Sequence, residues 1–248
     1  MLEPPLPTAT YDGFEVKLLE REQLLDLFLQ QRIFVSVNPL MIQKYADSLR
    51  PVVNNHVGYL DGIGLCLAIW MRGGGWSPRI AGSEIWLELI RKYPARRYAI
   101  IGGTDRVLDE ALVKLRQHYP GIDVVYGRNG FFQMEAEAEQ IADTLRTRHA
   151  EVIFLAMGTP RQELFAQKLF DRHPATYLGI GGSLDVYTGT LRAAPRWVKR
   201  IGLEWLWRWM LEPAKRTRMN LALALFALRV PLATVRFERS AANGGGGS

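Results

Sequence analysis

The stretch EVIFLAMGTPRQELFAQKLF (151–170) holds the pattern that decides the fold. It opens on a nearly continuous apolar run over 151–158, which is typical of a strand buried on both faces of a sheet. A short polar loop follows, and Pro160, directly after Thr159, suits the first position of a helix. The stretch therefore predicts a strand, a tight loop and a helix over 160–172, which is the unit from which parallel sheets are built.

The same alternation extends in both directions from this stretch. The predicted strands are FEVKLL (14–19), IFVSV (33–37), YAIIGG (98–103), DVVYG (123–127), EVIFLAMG (151–158) and TYLGIGG (176–182). The predicted helices cover 20–31, 39–49, 62–72, 83–92, 105–118, 134–149, 160–172 and one or more segments after 195. Asn38 is the predicted cap of the second helix, and the proline-rich residues 1–13 are expected to form an irregular lead-in. We predict an α/β, Rossmann-like fold of mostly parallel sheets covered by helices, with a helical C-terminal appendage.

The positive charge of the chain is concentrated near its C-terminus. The whole chain has a net charge of +6, but residues 196–239 alone hold ten basic and three acidic side chains, a local charge of +7. The same segment carries four of the seven tryptophans, Trp197, Trp205, Trp207 and Trp209. We therefore divide the chain into an α/β catalytic core (1–195), a basic appendage (196–242) and a glycine-rich linker or tail (243–248).

Three interpretations fit the basic appendage. Arg and Trp mixed with apolar residues are typical of a membrane interface, where the rings lie at headgroup depth and the cations meet anionic phosphates. The alternatives are a helix that packs its tryptophans on the core, and a nucleic-acid-binding helix. No signal peptide is predicted, because the N-terminal residues lack a basic start and an apolar stretch. No transmembrane helix is predicted either, because the apolar run 219–235 is interrupted by Arg229 and Pro231.

The composition and motifs exclude several classes of protein. With 48% apolar and 23% charged residues, the chain is neither disordered nor collagen-like, and its one cysteine, Cys66, cannot form an internal disulfide. It contains neither the dinucleotide fingerprint nor the P-loop, and no Asp-x-Asp pair. The four histidines are scattered without metal-ligand spacing. We therefore expect neither a cofactor nor a metal.

Several polar residues follow the predicted strands, at the edge where parallel sheets bind ligands. Asp61 lies at a turn before a helix, where a carboxylate serves either as a general base or as a helix cap. Thr159 and Gln162 lie at a helix start, where they hold an anion or sugar hydroxyls, or simply cap. Asp185 either contacts a ribose or base, or caps, and Arg208 lies one helical turn from Glu204, as in a surface ion pair.

These motifs together resemble those of the WecG/TagA/CpsF family of glycosyltransferases. The resemblance covers about residues 14–220. It is carried, in family order, by SVNP (36–39), DGIG (61–64), RIAGSEIW (79–86), YAIIGG (98–103), MGTPRQE (157–163), GIGGSLDVYTG (179–189), RAAPRW (192–197) and GLEWLWRW (202–209).

The resemblance implies a reaction and a set of site residues. It implies inverting, metal-independent transfer of a sugar from a UDP-sugar to an undecaprenyl-diphosphate-linked saccharide, at the cytoplasmic face of the cell membrane, without nucleic acid. Asp61 matches the general base. The positions that match substrate-binding residues are Ser36, Asn38, Arg79, Thr159, Gln162, Asp185, Arg208, Lys215 and Arg218. Ser36 stands where many members have Thr, and Lys215 stands where Arg is common, which replaces a planar fork by a point charge.

One alternative belongs to another functional class. A non-catalytic protein that binds a membrane surface or nucleic acid through the basic C-terminal helix would account for the charge clustering. It would leave the loops SVNP, DGIG and GTPRQE unexplained. The transferred sugar (glucose, galactose, N-acetylmannosamine or its uronic acid), the acceptor saccharide and the oligomeric state stay open.

Overall fold

The apolar runs of the sequence form the strands of one sheet. The structure is a computed structural model that describes residues 6–195, 197–198, 204–211, 223 and 225–238. Its strands are β1 (Thr8–Tyr11), β2 (Phe14–Lys17), β3 (Ile33–Val37), β4 (Val57–Leu60), β5 (Arg97–Gly102), β6 (Asp123–Arg128), β7 (Val152–Ala156), β8 (Thr176–Gly179) and β9 (Val235–Glu238). Their spatial order is β6-β5-β7-β8-β3-β4-β2-β1-β9. The seven strands from β6 to β2 run parallel, which confirms the predicted α/β architecture.

Helices cover both faces of this sheet. They are α1 (Arg21–Leu27), α2 (Pro39–Lys44), α3 (Ala46–Asn55), α4 (Ile63–Met71), α5 (Gly82–Lys92), α6 (Asp105–His118), α7 (Met134–Thr147), α8 (Arg161–Phe170), α9 (Ser183–Thr188) and α10 (Glu204–Leu211). One hydrophobic core joins the sheet to α2, α3, α4, α7 and α8, and a second core joins the opposite face to α1, α5, α6 and α9. The strands β3, β4, β5, β7 and β8 each supply both cores, because successive side chains point to opposite faces.

Alternation within single strands shows this two-sided burial directly. Ile33, Val35 and Val37 of β3 pack in the first core, whereas Phe34 packs in the second. Burying both faces removes the polar positions of an ordinary amphipathic strand, which is why the sequence reads as continuous apolar runs.

Three strands lie outside the predicted set. β1 falls in the segment expected to be irregular, β4 has the four residues VGYL, and β9 falls near the C-terminus. β1 pairs antiparallel with β2 on one side and with β9 on the other. The expectation of an irregular lead-in is therefore wrong for residues 8–11, because pairing with distant strands imposes extended structure there.

The C-terminal part of the chain returns to the core at this edge. Phe226 is buried, with its ring centroid 5.6 Å from that of Tyr11. The guanidinium of Arg72, just after α4, donates to the carbonyl of Pro231 at 2.7 Å. Residues 225–238 thus lie against β1 and the end of α4, while the boundary at residue 195 stays a prediction.

Candidate active site

Topology brings the predicted loops to one edge of the sheet. Val37 pairs with Leu60, and Leu155 pairs with Gly179, in parallel register. The segments that follow β3, β4, β7 and β8 therefore leave the sheet at its carboxyl edge. The chain crosses from β4 to β5 past three intervening strands, so this edge also contains the switch in winding direction where open sheets bind ligands.

Asp61 is fixed at the end of β4 and faces the start of α5. Its backbone N–H donates to the Val37 carbonyl at 3.0 Å. Its carboxylate Oδ2 accepts from the backbone N–H of Gly82, the first residue of α5, at 3.4 Å. The N-cap of α4 is Gly62, the residue that follows Asp61. A negative charge in this position is stabilised by the positive end of the α5 dipole.

Arg79 reaches the same region through the segment before α5. The N–H of Ile80 donates to the carbonyl of Leu60 at 2.9 Å, which holds this segment beside the end of β4. The pKa of the Cys66 thiol is raised to about 11, mainly by burial and also by the charge of Asp61, while the charge of Arg79 acts to lower it. One thiol thus lies within electrostatic range of both side chains, which places Arg79 and Asp61 in one neighbourhood.

Ser36 and Tyr59 lie near the ends of β3 and β4, close to Asp61. The two residues pair across β3 and β4. A Cβ atom added at Gly82 would lie 3.1 Å from the Tyr59 Oη and 3.4 Å from the Ser36 Oγ, so the start of α5 packs closely on both hydroxyls. Burial raises the pKa of Tyr59 well above its ordinary value, Asp61 and Glu163 raise it further, and Ser36 lowers it.

Asn38 caps the helix that follows β3, as predicted. Its Oδ1 accepts from the Met41 N–H at 3.1 Å, and its Nδ2 donates to the Ser36 carbonyl at 3.4 Å. The amide thereby fixes the loop that carries Ser36. Pro39 occupies the first helical position, where the missing N–H costs nothing.

Thr159, Gln162 and Glu163 form a compact cluster after β7. The Oε1 of Glu163 accepts from Thr159 Oγ1 and from Gln162 Nε2, both at 2.9 Å. The Oε1 of Gln162 accepts from the backbone N–H of Gly158 at 3.2 Å and of Gly181 at 3.0 Å. Burial raises the pKa of Glu163. The helix α8 begins at Arg161, one residue later than predicted, with Pro160 as its N-cap.

The remaining predicted residues lie farther along the chain. Asp185 lies in the first turn of α9, where its backbone carbonyl accepts from Thr188 Oγ1 and from the N–H of Leu191. Arg208 belongs to α10, and its side chain lies outside the described part of the structure. Lys215 and Arg218 lie outside the described residues.

Sequence reasoning missed Tyr59, Gly82 and Glu163. Glu163 stands inside the loop GTPRQE, and Tyr59 precedes Asp61 by two residues. Gly82 lies in RIAGSE, where its small size is the signal. Their roles depend on contacts between distant loops, which neither periodicity nor spacing reveals.

Among the described residues, no group of three or more His, Cys, Asp or Glu side chains is placed to hold a metal ion. The helices they form include none that is long and apolar enough to cross a membrane.

The comparison with known families gives one match across nearly the whole chain. The model described as the glycosyl transferase WecG/TagA/CpsF family matches residues 10–240. The match includes the end of β1 and all of β9, as well as the four loops at the carboxyl edge.

Proposed function

Because the chain belongs to the WecG/TagA/CpsF family of glycosyltransferases, which serve the synthesis of surface polysaccharides and teichoic acids, we propose a specific transfer reaction. The donor is a UDP-sugar and the acceptor is a saccharide carried on undecaprenyl diphosphate. The sugar moves with inversion at its anomeric carbon and without a metal. The observation that carries the proposal is the position of Asp61, between the end of β4 and the first N–H of α5.

Asp61 is the proposed general base. Its carboxylate removes the proton from an acceptor hydroxyl, and that oxygen attacks the anomeric carbon as the bond to UDP breaks. The proton stays on Asp61 and the electron pair of the broken bond leaves with UDP. Anchoring through the Val37 carbonyl and Gly82 N–H supports this role, since a base must be held within hydrogen-bond reach of its substrate.

Positive groups are needed to stabilise the charge that develops on UDP. In the proposed scheme these are Arg79, backbone N–H groups and helix N-termini at the carboxyl edge, joined by Arg208, Lys215 and Arg218 of the appendage. Ser36, Asn38 and Thr159 contact the sugar or phosphates, and Asp185 contacts the nucleoside. Preorganised donors of this kind replace the charge that a metal supplies in other transferases.

A membrane surface is the second proposed partner, and one exposed face supports it. Trp70 and Met71 at the end of α4 are 53% and 68% exposed, and Leu228 and Leu232 are 74% and 84% exposed. The hydrogen bond from Arg72 to the Pro231 carbonyl holds these two segments together. We call these four residues the apolar face. Exposed Trp, Met and Leu beside arginines fit the interface of an anionic bilayer.

A donor and acceptor screen tests the reaction. The full chain is incubated with a set of UDP-sugars and short-chain lipid-diphosphate saccharides, and products are read by mass spectrometry with and without EDTA. We expect one sugar to be transferred, with inverted configuration, in both conditions. Loss of transfer in EDTA with recovery in Mg²⁺ would contradict the metal-free scheme.

Vesicle binding tests the membrane proposal separately. Trp70→Ser/Met71→Ser should weaken co-sedimentation with phosphatidylglycerol vesicles and leave transfer to a water-soluble acceptor intact. Phe131→Ser is the matched control, because Phe131 is 75% exposed in the loop after β6. Equal binding by both variants would remove the apolar face from the proposal.

A further inference from the structure

Gln162 is almost fully enclosed, although the family resemblance matches it to a substrate-binding position. It is 4% exposed, as is Glu163. A Cβ atom at Gly179 would lie 2.4 Å from Gln162 Nε2, so the amide fills the space beside the end of β8. A side chain this enclosed presents little surface to a ligand.

The hydrogen-bonding capacity of Gln162 is also largely used. Its Oε1 accepts two backbone N–H groups, which occupies both lone pairs. One Nε2 hydrogen is donated to Glu163. A flipped amide would place NH₂ against two N–H donors and would turn its oxygen toward the Glu163 oxygen, so the observed orientation is strongly favoured. Gly158 and Gly181 belong to different loops, after β7 and β8, and this one oxygen joins them.

Glu163 is the acceptor for the amide of Gln162. Its Oε1 accepts from Gln162 and Thr159, and its Oε2 is buried without a hydrogen-bond partner among the residues that the structure describes. Burial raises the pKa of this carboxyl group and so favours its neutral form. A neutral carboxyl group still accepts through Oε1 and avoids an uncompensated charge in the core.

We infer that Gln162 and Glu163 are positioning residues: Glu163 sets the orientation of the Gln162 amide, and that amide holds the loops after β7 and β8 in register. The inference rests on the proposed function, because the held loops are the ones proposed to meet the UDP-sugar. It differs from a substrate contact in one respect. If the role is positioning, UDP binding requires only a hydrogen bond between the side chains at positions 162 and 163, and either residue can be the donor.

An exchange of the two side chains separates these roles. Gln162→Glu removes the N–H that Gln162 donates to Glu163 and should weaken UDP binding about tenfold or more, since unmade buried hydrogen bonds are costly. Glu163→Leu should do the same, whereas Glu163→Gln keeps the acceptor and should bind within about threefold of the unaltered protein. In the double variant Gln162→Glu/Glu163→Gln, Gln at 163 donates to Glu at 162, and UDP affinity should recover to within about threefold.

Calorimetry with UDP at pH 8 and ¹⁵N-glycine spectra of the ligand-free protein give the two readouts. Glu163→Leu should shift the amide signals of both Gly158 and Gly181. Gln167→Ala is the matched control, because Gln167 is an amide on the same helix that bonds to His56 and Asp171 instead. It should leave UDP affinity and both glycine signals unchanged.

The outcomes distinguish this inference from the reaction proposed above. A double variant as weak as Gln162→Glu would overturn the positioning role and restore a direct substrate contact by the Gln162 N–H. Unshifted glycine signals in Glu163→Leu would also overturn it. If the unaltered protein fails to bind UDP, the proposed donor is wrong, while the glycine signals still test the positioning role.

Discussion

Asp61 and Glu163 stand at the same edge of one sheet in opposite surroundings. Asp61 is half-buried, follows β4 and faces the positive end of α5. Glu163 is buried at the start of α8, where it receives two neutral donors, and burial raises its pKa. The difference teaches that solvation and dipoles, rather than the residue type, decide which carboxylate moves a proton and which one holds a loop.

The largest effect should come from removing the ionisable group of Asp61. Asp61→Asn should lower kcat by roughly 10²–10⁴-fold, the usual contribution of a general base, and leave UDP affinity nearly unchanged. Steady-state transfer assays and calorimetry measure the two quantities. Asp109→Asn, on the exposed side of α6, is the control of equal charge change. Near-normal turnover in Asp61→Asn would show that Asp61 is not the general base.

A smaller loss should follow from crowding the start of α5. In Gly82→Ala the added Cβ would lie 3.1 Å from the buried Tyr59 Oη, so the first turn of α5 must move relative to Asp61. We expect kcat/KM to fall about tenfold, because displacements of about 1 Å in a catalytic arrangement are costly. Gly127→Ala is the matched control, since its Cβ would meet the flexible Leu112 Cδ1 at 3.3 Å, on the far strand β6. Equal activity in the two variants would show that the packing of α5 does not position Asp61.

The architecture was predictable where burial is two-sided, and less so at the sheet edge. β3 occupies its predicted residues because five consecutive apolar or small side chains fill two cores. β1 and β9 are short strands at one side of the sheet, and they pair residues that lie far apart in the sequence, such as Ala9 and Phe237. Such pairing leaves no local pattern in the sequence.

The candidate site divides in the same way. The carboxyl-edge rule predicts that the loops with Ser36 and Asp61 lie at one edge of the sheet, and in the structure Ser36 pairs with Tyr59 near the ends of β3 and β4. The role of Glu163 depends on Gln162 reaching Gly181, in a loop 19 residues away. The structure alone reveals that contact, because a buried Glu and an exposed Glu at a helix start look the same in sequence.

The pH dependence of stability tests whether Glu163, unlike Asp61, is held in its neutral form by burial. Its folded-state pKa is raised, so the folded protein binds the proton more tightly than the unfolded chain. The stabilisation is complete below the unfolded pKa and is lost as pH rises through the raised value. Thermal melts should therefore show a decline in Tm with rising pH that Glu163→Gln lacks, with each 1 kcal/mol equal to about 2–4 °C. If Tm depends on pH in the same way in the unaltered protein and in Glu163→Gln, Glu163 is ionised in the folded protein and the prediction is wrong.

The smallest effect concerns His56, at the opposite end of the strands that lead to Ser36 and Asp61. Its Nδ1 accepts from the Ile33 N–H at 3.4 Å, its Nε2 lies 3.0 Å from Gln167 Oε1, and its ring packs edge-on against Phe170. These partners select the neutral ring, because a second proton on Nδ1 would face an N–H donor. Burial accordingly lowers the pKa of His56.

The contribution of His56 to stability changes with pH in the opposite direction to that of Glu163. A lowered histidine pKa contributes stability that is complete above the unfolded value of about 6.5 and is lost as pH falls through the folded value. Between pH 8 and pH 5 the contribution of His56 to Tm should fall, and His56→Gln should change the difference in Tm between these pH values by about 2 °C or less, since the ring is partly solvated. His118→Gln is the control, because His118 is exposed at the end of α6. Transfer activity at pH 8 should be equal in both variants, since His56 lies at the amino edge of β4, opposite the carboxyl edge that carries the proposed site. A loss of activity in His56→Gln alone would show that the two edges of the sheet are coupled through β3 and β4.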